Sequence, residues 1–297
     1  MDAHGIWPPL LDITDSYFSN RDQALALAYA AYTLQTAKFQ QPIIILHGLL
    51  GNKRNWRSFA NDLIRNNFGQ IFCVDLRNHG DSPHSQDFNY LTMADDLVRF
   101  IHDRQLSNVS LIGHSMGGKV AMVTALREPS LVNRLVVVDI APIFSANVSG
   151  IDKCISLMKE VNLKTRFAQA NGDVSVLRLK LMREWAEENL APSLLSFILS
   201  NLRDRDGKPI WKVNVNAVAE NLDEIMGFPY TLDDTISYNG PSRFIAGQRS
   251  SHIKPETMNE VNHFFPRAER IEIPNAGHWV HTDAPGPLCD AISSFLR

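Results

Sequence analysis

Residues Val109 to Gly118 read VSLIGHSMGG. Val109-Ser110-Leu111-Ile112 has strand length, β-branched residues and almost continuous apolar character, as strands buried on both faces do. It runs into Gly113-His114-Ser115-Met116-Gly117, a G-x-S-x-G pattern with a further Gly118, and then into a good helical stretch, Lys119 to Arg127. The five-residue pattern recurs by chance; its place between strand and helix makes it specific. A sharp strand-to-helix turn lifts the serine hydroxyl above the strand ends, at the first turn of a helix whose N–H groups favour negative charge. Such a turn strains the serine backbone and admits only small residues two before and two after it. The alternative is a glycine-rich turn with an incidental serine.

Outward from this turn the strand signal recurs at Ile43–Leu46, Ile71–Val74 and Leu135–Val138, with helical candidates at Trp56–Asn66 and Met93–Arg104 between. This alternation predicts an α/β fold, a mostly parallel central sheet flanked by helices. After Pro142 the rhythm breaks. From about 143 to 238 the spacing is helical, as in Val174, Leu177, Leu181 and Trp185, and strand signals return only at Arg243–Ala246 and Arg270–Ile273. A final helix is expected from Gly286 to Leu296. The expected organisation is one domain, 1–297, with a helical lid at about 143–238. Leu25 to Leu34 suits either state: its alanines favour a helix, whereas a sheet of this kind calls for a strand.

Composition excludes other classes. With 44% hydrophobic residues among 297, the chain has ample apolar surface for a core. A net charge of −3, without a long basic run, gives no electropositive face for nucleic acid. The longest apolar run, Ala24 to Tyr32, is far short of the roughly 20 residues a membrane helix needs, so no transmembrane segment is expected. The N-terminus MDAHGIWPPLLDITD has neither a secretory pattern nor the basic bias of a mitochondrial presequence, and the sequons at Asn108 and Asn147 mean nothing without secretion. Three scattered cysteines, Cys73, Cys154 and Cys289, fit a reducing compartment.

A nucleophilic serine needs an oxyanion hole, a base and an acid. His47-Gly48-Leu49-Leu50-Gly51 follows a buried strand and places Leu49 to give one backbone donor; Met116, directly after the serine, gives the other. His47 and His114 are expected to support this machinery. Of ten histidines, His278 has the right address, past the last strand and before the last helix. His281 is expected at the surface or in a loop, and a metal held by His278 and His281 lacks a third ligand. The acid commonly follows the strand at 243–246, but Gly247-Gln248-Arg249-Ser250-Ser251-His252 offers no carboxylate there. One strand earlier, Leu135–Val138 ends in Asp139, the favoured acid, with Ser250 or Ser251 in the vacated place to add a hydrogen bond to the histidine. Asp139 as a loop-capping carboxylate, and Asp223, Asp233 or Asp234 as the acid, remain open alternatives. Asp75 is expected to order the loop Arg77–Ser82. Leu50, Phe144, Trp185 and Trp279 are candidates for an acyl pocket, or for plain core.

These motifs resemble the α/β-hydrolase superfamily and, more closely, the family of alpha/beta hydrolase domain-containing protein 11. The resemblance runs from about Pro42 to the C-terminus through HGLLGNKRNW, VDLRNHGDSPHS, GHSMGGKVAM, VVDIAP, NLRDRDGKPIWKVNVNA and PNAGHWVH. Bacterial esterases and yeast alcohol acetyltransferases are similar in the same motifs. The resemblance implies a serine hydrolase of carboxylic esters, with acyl lipids such as diacylglycerol proposed for animal members, and a mitochondrial location; otherwise the chain would be cytoplasmic. It also implies Ser115, Asp139 and His278 as a triad with a serine at position 250. Some animal members carry an aspartate, proposed as the acid, where this chain has Asn216, and an amide cannot take that role. Triad chemistry of this kind implies no cofactor and no metal. Two rivals stand beside ester hydrolysis: acyl transfer to an alcohol by the same residues, and a catalytically silent binding protein.

Overall fold

Seven strands form one sheet in the order β1-β3-β2-β4-β5-β8-β9, and β6 and β7 form a separate pair. The strands are β1 (Tyr29–Thr33), β2 (Phe39–Leu46), β3 (Phe68–Val74), β4 (Val109–His114), β5 (Val132–Val138), β6 (Leu202–Arg205), β7 (Lys208–Trp211), β8 (Ser242–Gly247) and β9 (Ala268–Ile273). This computed structural model describes residues 23–145 and 150–297. The N-terminal stretch read for targeting signals, and Asn147, lie outside them.

The unbroken apolar runs follow from a sheet covered on both sides. Successive residues point to opposite faces. Ile44 and Leu46 join one apolar core with Val109, Leu111, Leu135 and Val137. Ile43 and Ile45 join a second with Ile112, Val136 and Val138. All neighbours in the sheet run parallel except β1, which pairs antiparallel with β3. The ambiguous stretch near residue 30 therefore resolves as an edge strand: a free sheet edge outweighs the helix preference of its alanines. Among the described residues, no helix is long and apolar enough to cross a membrane.

Register brings the functional loops together. Leu46 pairs with Gly113, His114 with Val138, and Val138 with Ile245. The turns after β2, β4, β5 and β8 thus leave the sheet at one edge, where the strand order reverses direction, the place at which such sheets bind ligands. Helices α1 (Arg57–Arg65), α2 (Tyr90–Asp103) and α3 (Met116–Arg127) connect the first strands. Helix α3 begins at Met116, three residues before the expected start, because Gly117 and Gly118 serve close packing rather than ending the helix. A Cβ on Gly113 would sit 2.2 Å from the Gly117 oxygen, and one on Gly117 would sit 2.5 Å from the His47 oxygen.

Between β5 and β8 lie α4 (Ile151–Glu160), α5 (Leu163–Gln169), α6 (Val174–Trp185), α7 (Pro192–Leu199), α8 (Val215–Glu220) and α9 (Leu222–Met226). The β6–β7 hairpin interrupts them. Its strands are only four residues each and lack an alternating apolar pattern, but its turn has Asp206 and Gly207 at φ 53° and 74°, the two-residue Asp-Gly geometry that marks a tight hairpin. The insertion is fastened to the sheet edge by Asn201, whose Nδ2 donates to the Leu50 carbonyl at 2.7 Å, and is braced internally by Trp185 stacked on Trp211. Beyond β8, α10 (Met258–Phe264) leads into β9, and α11 (Val280–Asp283) and α12 (Pro285–Leu296) close the chain.

Candidate active site

Ser115 sits between β4 and α3 with φ 52° and ψ −121°, a conformation that L-residues adopt only when their surroundings impose it. The flanking chain does so: the Ser115 N–H donates to the Val138 carbonyl at 3.0 Å, and the Ser115 carbonyl accepts from Lys119 at 3.1 Å. Its Oγ lies 3.0 Å from His278 Nε2. His278 Nδ1 in turn lies 2.8 Å from Asp139 Oδ2. A carboxylate can only accept, so Nδ1 carries the proton and Nε2 presents its lone pair to the serine hydroxyl.

Asp139 follows β5 with φ 55° and is fully buried. Its backbone N–H donates to Ile245, and its Oδ1 accepts from the Gly247 N–H at 2.9 Å. Those two bonds lock the carboxylate across the ends of β5 and β8. Ser250 was expected to bond the histidine. Instead its Oγ donates to Asp139 Oδ2 at 2.5 Å, because the tight turn closed by Ser250 N–H to Gly247 O aims the hydroxyl at the carboxylate. A hydrogen bond to a charged group contributes about 1.5 kcal/mol or more. Ser250→Ala is therefore expected to lower kcat about tenfold with KM unchanged; an unchanged kcat would remove Ser250 from support of the acid. Asp223, Asp233 and Asp234 are exposed on the insertion. Asn216 is exposed too, on a separate recess with Met158 and Trp211. Asp75 orders its loop, accepting from the N–H groups of Lys53 and Asp81.

Neutral histidines brace the loop 47–51. His47 Nδ1 donates to the Gly48 carbonyl at 2.8 Å while its Nε2 accepts from the Leu76 N–H at 3.0 Å. His79, which the sequence analysis did not single out, accepts from the Leu50 N–H through Nε2 at 3.1 Å and donates to the Arg77 carbonyl through Nδ1 at 2.9 Å. Burial pushes the His79 imidazole down to about 3 and lowers His47 as well. Both rings stay neutral at pH 7 and keep one donor and one acceptor each. His114 donates through Nε2 to the His278 carbonyl at 2.8 Å, and burial together with His278 and His281 holds it well below the usual histidine range. His281 is not a surface or loop residue as expected. It is half-buried on α11, stacked on Trp56 with ring centroids 4.6 Å apart, and burial and His278 push it to about 4.

A pocket of about 660 Å³, counted out to its mouth, opens at Ser115 and is lined by Leu49, Met116, Ile140, Phe197, Ile225 and Trp279 among others. Of the four pocket candidates only Trp279 lines it. Leu50 turns into the core, Trp185 is buried against Trp211, and Phe144 stands exposed. At one wall Lys119 Nζ donates to the carbonyls of Met226 and Gly227 at 2.8 and 2.7 Å, beside Tyr90, whose hydroxyl donates to Ile225 O at 2.5 Å. Three successive carbonyls at the end of α9 are thus held by two side chains from helices α2 and α3. Burial pushes the Lys119 ammonium from the ordinary lysine range down to about 7. From there to the unfolded value near ~10.4 the unfolded chain binds the proton more strongly, so stability rises with pH in that window and falls toward pH 7. Lys119→Met removes this rise. The stability of wild type relative to the variant should therefore grow between pH 7 and 9, by up to about 1.4 kcal/mol per unit. Denaturant titrations at several pH values check it, and a flat difference would contradict it.

A family model described as alpha/beta hydrolase fold matches residues 41–285. The sn-1-specific diacylglycerol lipase ABHD11 of Mus musculus is 38% identical over 86% of this chain and 80% of its own length. Esterase YbfF of Escherichia coli is 30% identical over 92% of this chain and all of its own. A probable alcohol acetyltransferase of Saccharomyces cerevisiae is 33% identical over 90% of this chain and 80% of its own. Among solved structures, a marine microorganism esterase superposes with a TM-score of 0.82 at 32% identity, covering 92% of this chain and all of that one.

Proposed function

This chain belongs to the alpha/beta hydrolase fold family, and on that premise we propose that it cleaves carboxylic esters through Ser115, His278 and Asp139. The observation that carries the proposal is the continuous hydrogen-bond path from Ser115 Oγ to His278 Nε2 and from His278 Nδ1 to Asp139 Oδ2, at 3.0 and 2.8 Å. Ser115 attacks the ester carbonyl while His278 takes its proton, a transfer worth about 10²–10⁴ in rate. Asp139 stabilises the imidazolium so formed. The N–H groups of Leu49 and Met116, both at the pocket wall, receive the developing oxyanion. Losing one such donor typically costs about 10²–10³. His278 returns the proton to the departing alcohol, and water then opens the acyl-enzyme with His278 as base.

The largely apolar pocket wall suits an acyl chain, and the mouse relative's name points to diacylglycerol as a substrate to test. The yeast relative's name supports a second outcome, in which an alcohol replaces water at the acyl-enzyme. A panel of esters of increasing chain length, with diacylglycerol included and ethanol present or absent, tests both. The expected product is mostly free acid in either condition. A predominance of new ethyl ester would favour the transferase, and no turnover of any ester would defeat the proposal.

A further inference from the structure

His278 and His281 have no third ligand beside them in the sequence, but the fold brings together a different set. Asp139, His252 and His278 place one donor atom each so that all three lie within 4.8 Å of one another. The His252 ring lies beside that of His278, with centroids 4.2 Å apart. Ester cleavage leaves His252 without a task. Its backbone N–H donates to Ser250 Oγ at 3.3 Å, while its ring nitrogens have no hydrogen-bond partner among the described residues. A surface recess lined by His252, His278, Leu194 and Asp283 among others gives an ion a route in from solvent. Two imidazoles and one carboxylate are a donor set that zinc uses.

We propose that Asp139, His252 and His278 form an inhibitory Zn²⁺ site, an inference that rests on the triad proposed above. Bonds of about 2.0–2.2 Å in tetrahedral geometry require the donors to draw closer than the 4.8 Å within which they stand. The ion takes the lone pair of His278 Nδ1. The proton that Nδ1 carried moves through solvent to Nε2, so the ring stays neutral and no net charge leaves the imidazole. Nε2 then points an N–H at Ser115, and the general base is gone. Asp139 exchanges its bond to the Nδ1 proton for a bond to the ion, and a water from the recess completes the tetrahedron.

Binding and inhibition are read separately. Co²⁺ added to the Ser115→Ala protein should develop the visible absorption of a tetrahedral site at one equivalent, and Zn²⁺ should displace it. His252→Ala introduced into that protein should weaken binding at least tenfold, with His252→Gln as a second variant and circular dichroism confirming the fold of each. In the Ser115-containing chain, micromolar Zn²⁺ should inhibit ester cleavage reversibly with EDTA. The His252→Ala protein should need at least tenfold more, measured against its own metal-free rate. Cobalt binding that ignores the His252 changes, no binding at all, or equal zinc inhibition with and without His252 would each overturn the site. A chain that binds cobalt through His252 yet cleaves no ester would count for the ion site and against the hydrolase.

Discussion

Ester turnover is expected to fall about 10⁶-fold when Ser115 is replaced by alanine, the size of effect seen when a nucleophile is removed from a triad. The loss should be confined to chemistry. Oγ makes its hydrogen bond to His278, while the strained turn is held by main-chain bonds from Ser115 to Val138 and from Lys119 to Ser115, which alanine keeps. The close approaches at Gly113 and Gly117 are likewise untouched. Circular dichroism and the thermal midpoint should therefore match the parent while the rate collapses. Retained turnover would remove Ser115 from its role.

Asp139→Asn is expected to cost about 10⁴ in kcat. The direction of the effect follows from the bonds around the side chain. The Gly247 N–H occupies Oδ1 and can be met only by an acceptor, so an asparagine must keep its oxygen there and turn its NH₂ toward His278. An amide N–H facing Nδ1 forces that nitrogen to accept. The imidazole proton then sits on Nε2, and the ring can no longer take the proton of Ser115. Ser250, able to accept as well as donate, tolerates the exchange. A mild loss here, joined to a large one at Asp223 or Asp233, would move the acid into the insertion, where both groups stand exposed.

Legibility in the sequence followed burial. Strands β2, β4 and β5 were readable because cores on both faces require an apolar residue at every position, leaving long unmixed runs. The edge strand at Tyr29–Thr33 was ambiguous because its burial is partial and its identity comes from pairing with β3. The β6–β7 hairpin was not legible because its strands are four residues each with no apolar alternation, though its Asp-Gly turn carried the signal. For the proposed site, position in the sequence pointed to Ser115 and His278, and the missing carboxylate after β8 pointed to Asp139. The direction of a hydroxyl was not readable: whether Ser250 meets the ring or the carboxylate depends on the turn at Gly247. Leu49 and Leu50 show the same limit, since a backbone with φ 60° at Leu50 sends one side chain to the pocket and its neighbour into the core. His79 and His252 come from loops whose approach to residues 29 and 26 positions away is a property of the tertiary fold.

His278 makes Ser115 nucleophilic, and labelling with a fluorophosphonate reads that activation. The reagent bonds covalently to a serine only where a base has activated it, so mass spectrometry of the digested protein reads both the site and its dependence on the base. The expected result is a single adduct on the peptide carrying Ser115, lost in His278→Ala. No adduct on the folded protein, an adduct on another serine, or undiminished labelling of Ser115 without His278 would contradict the account.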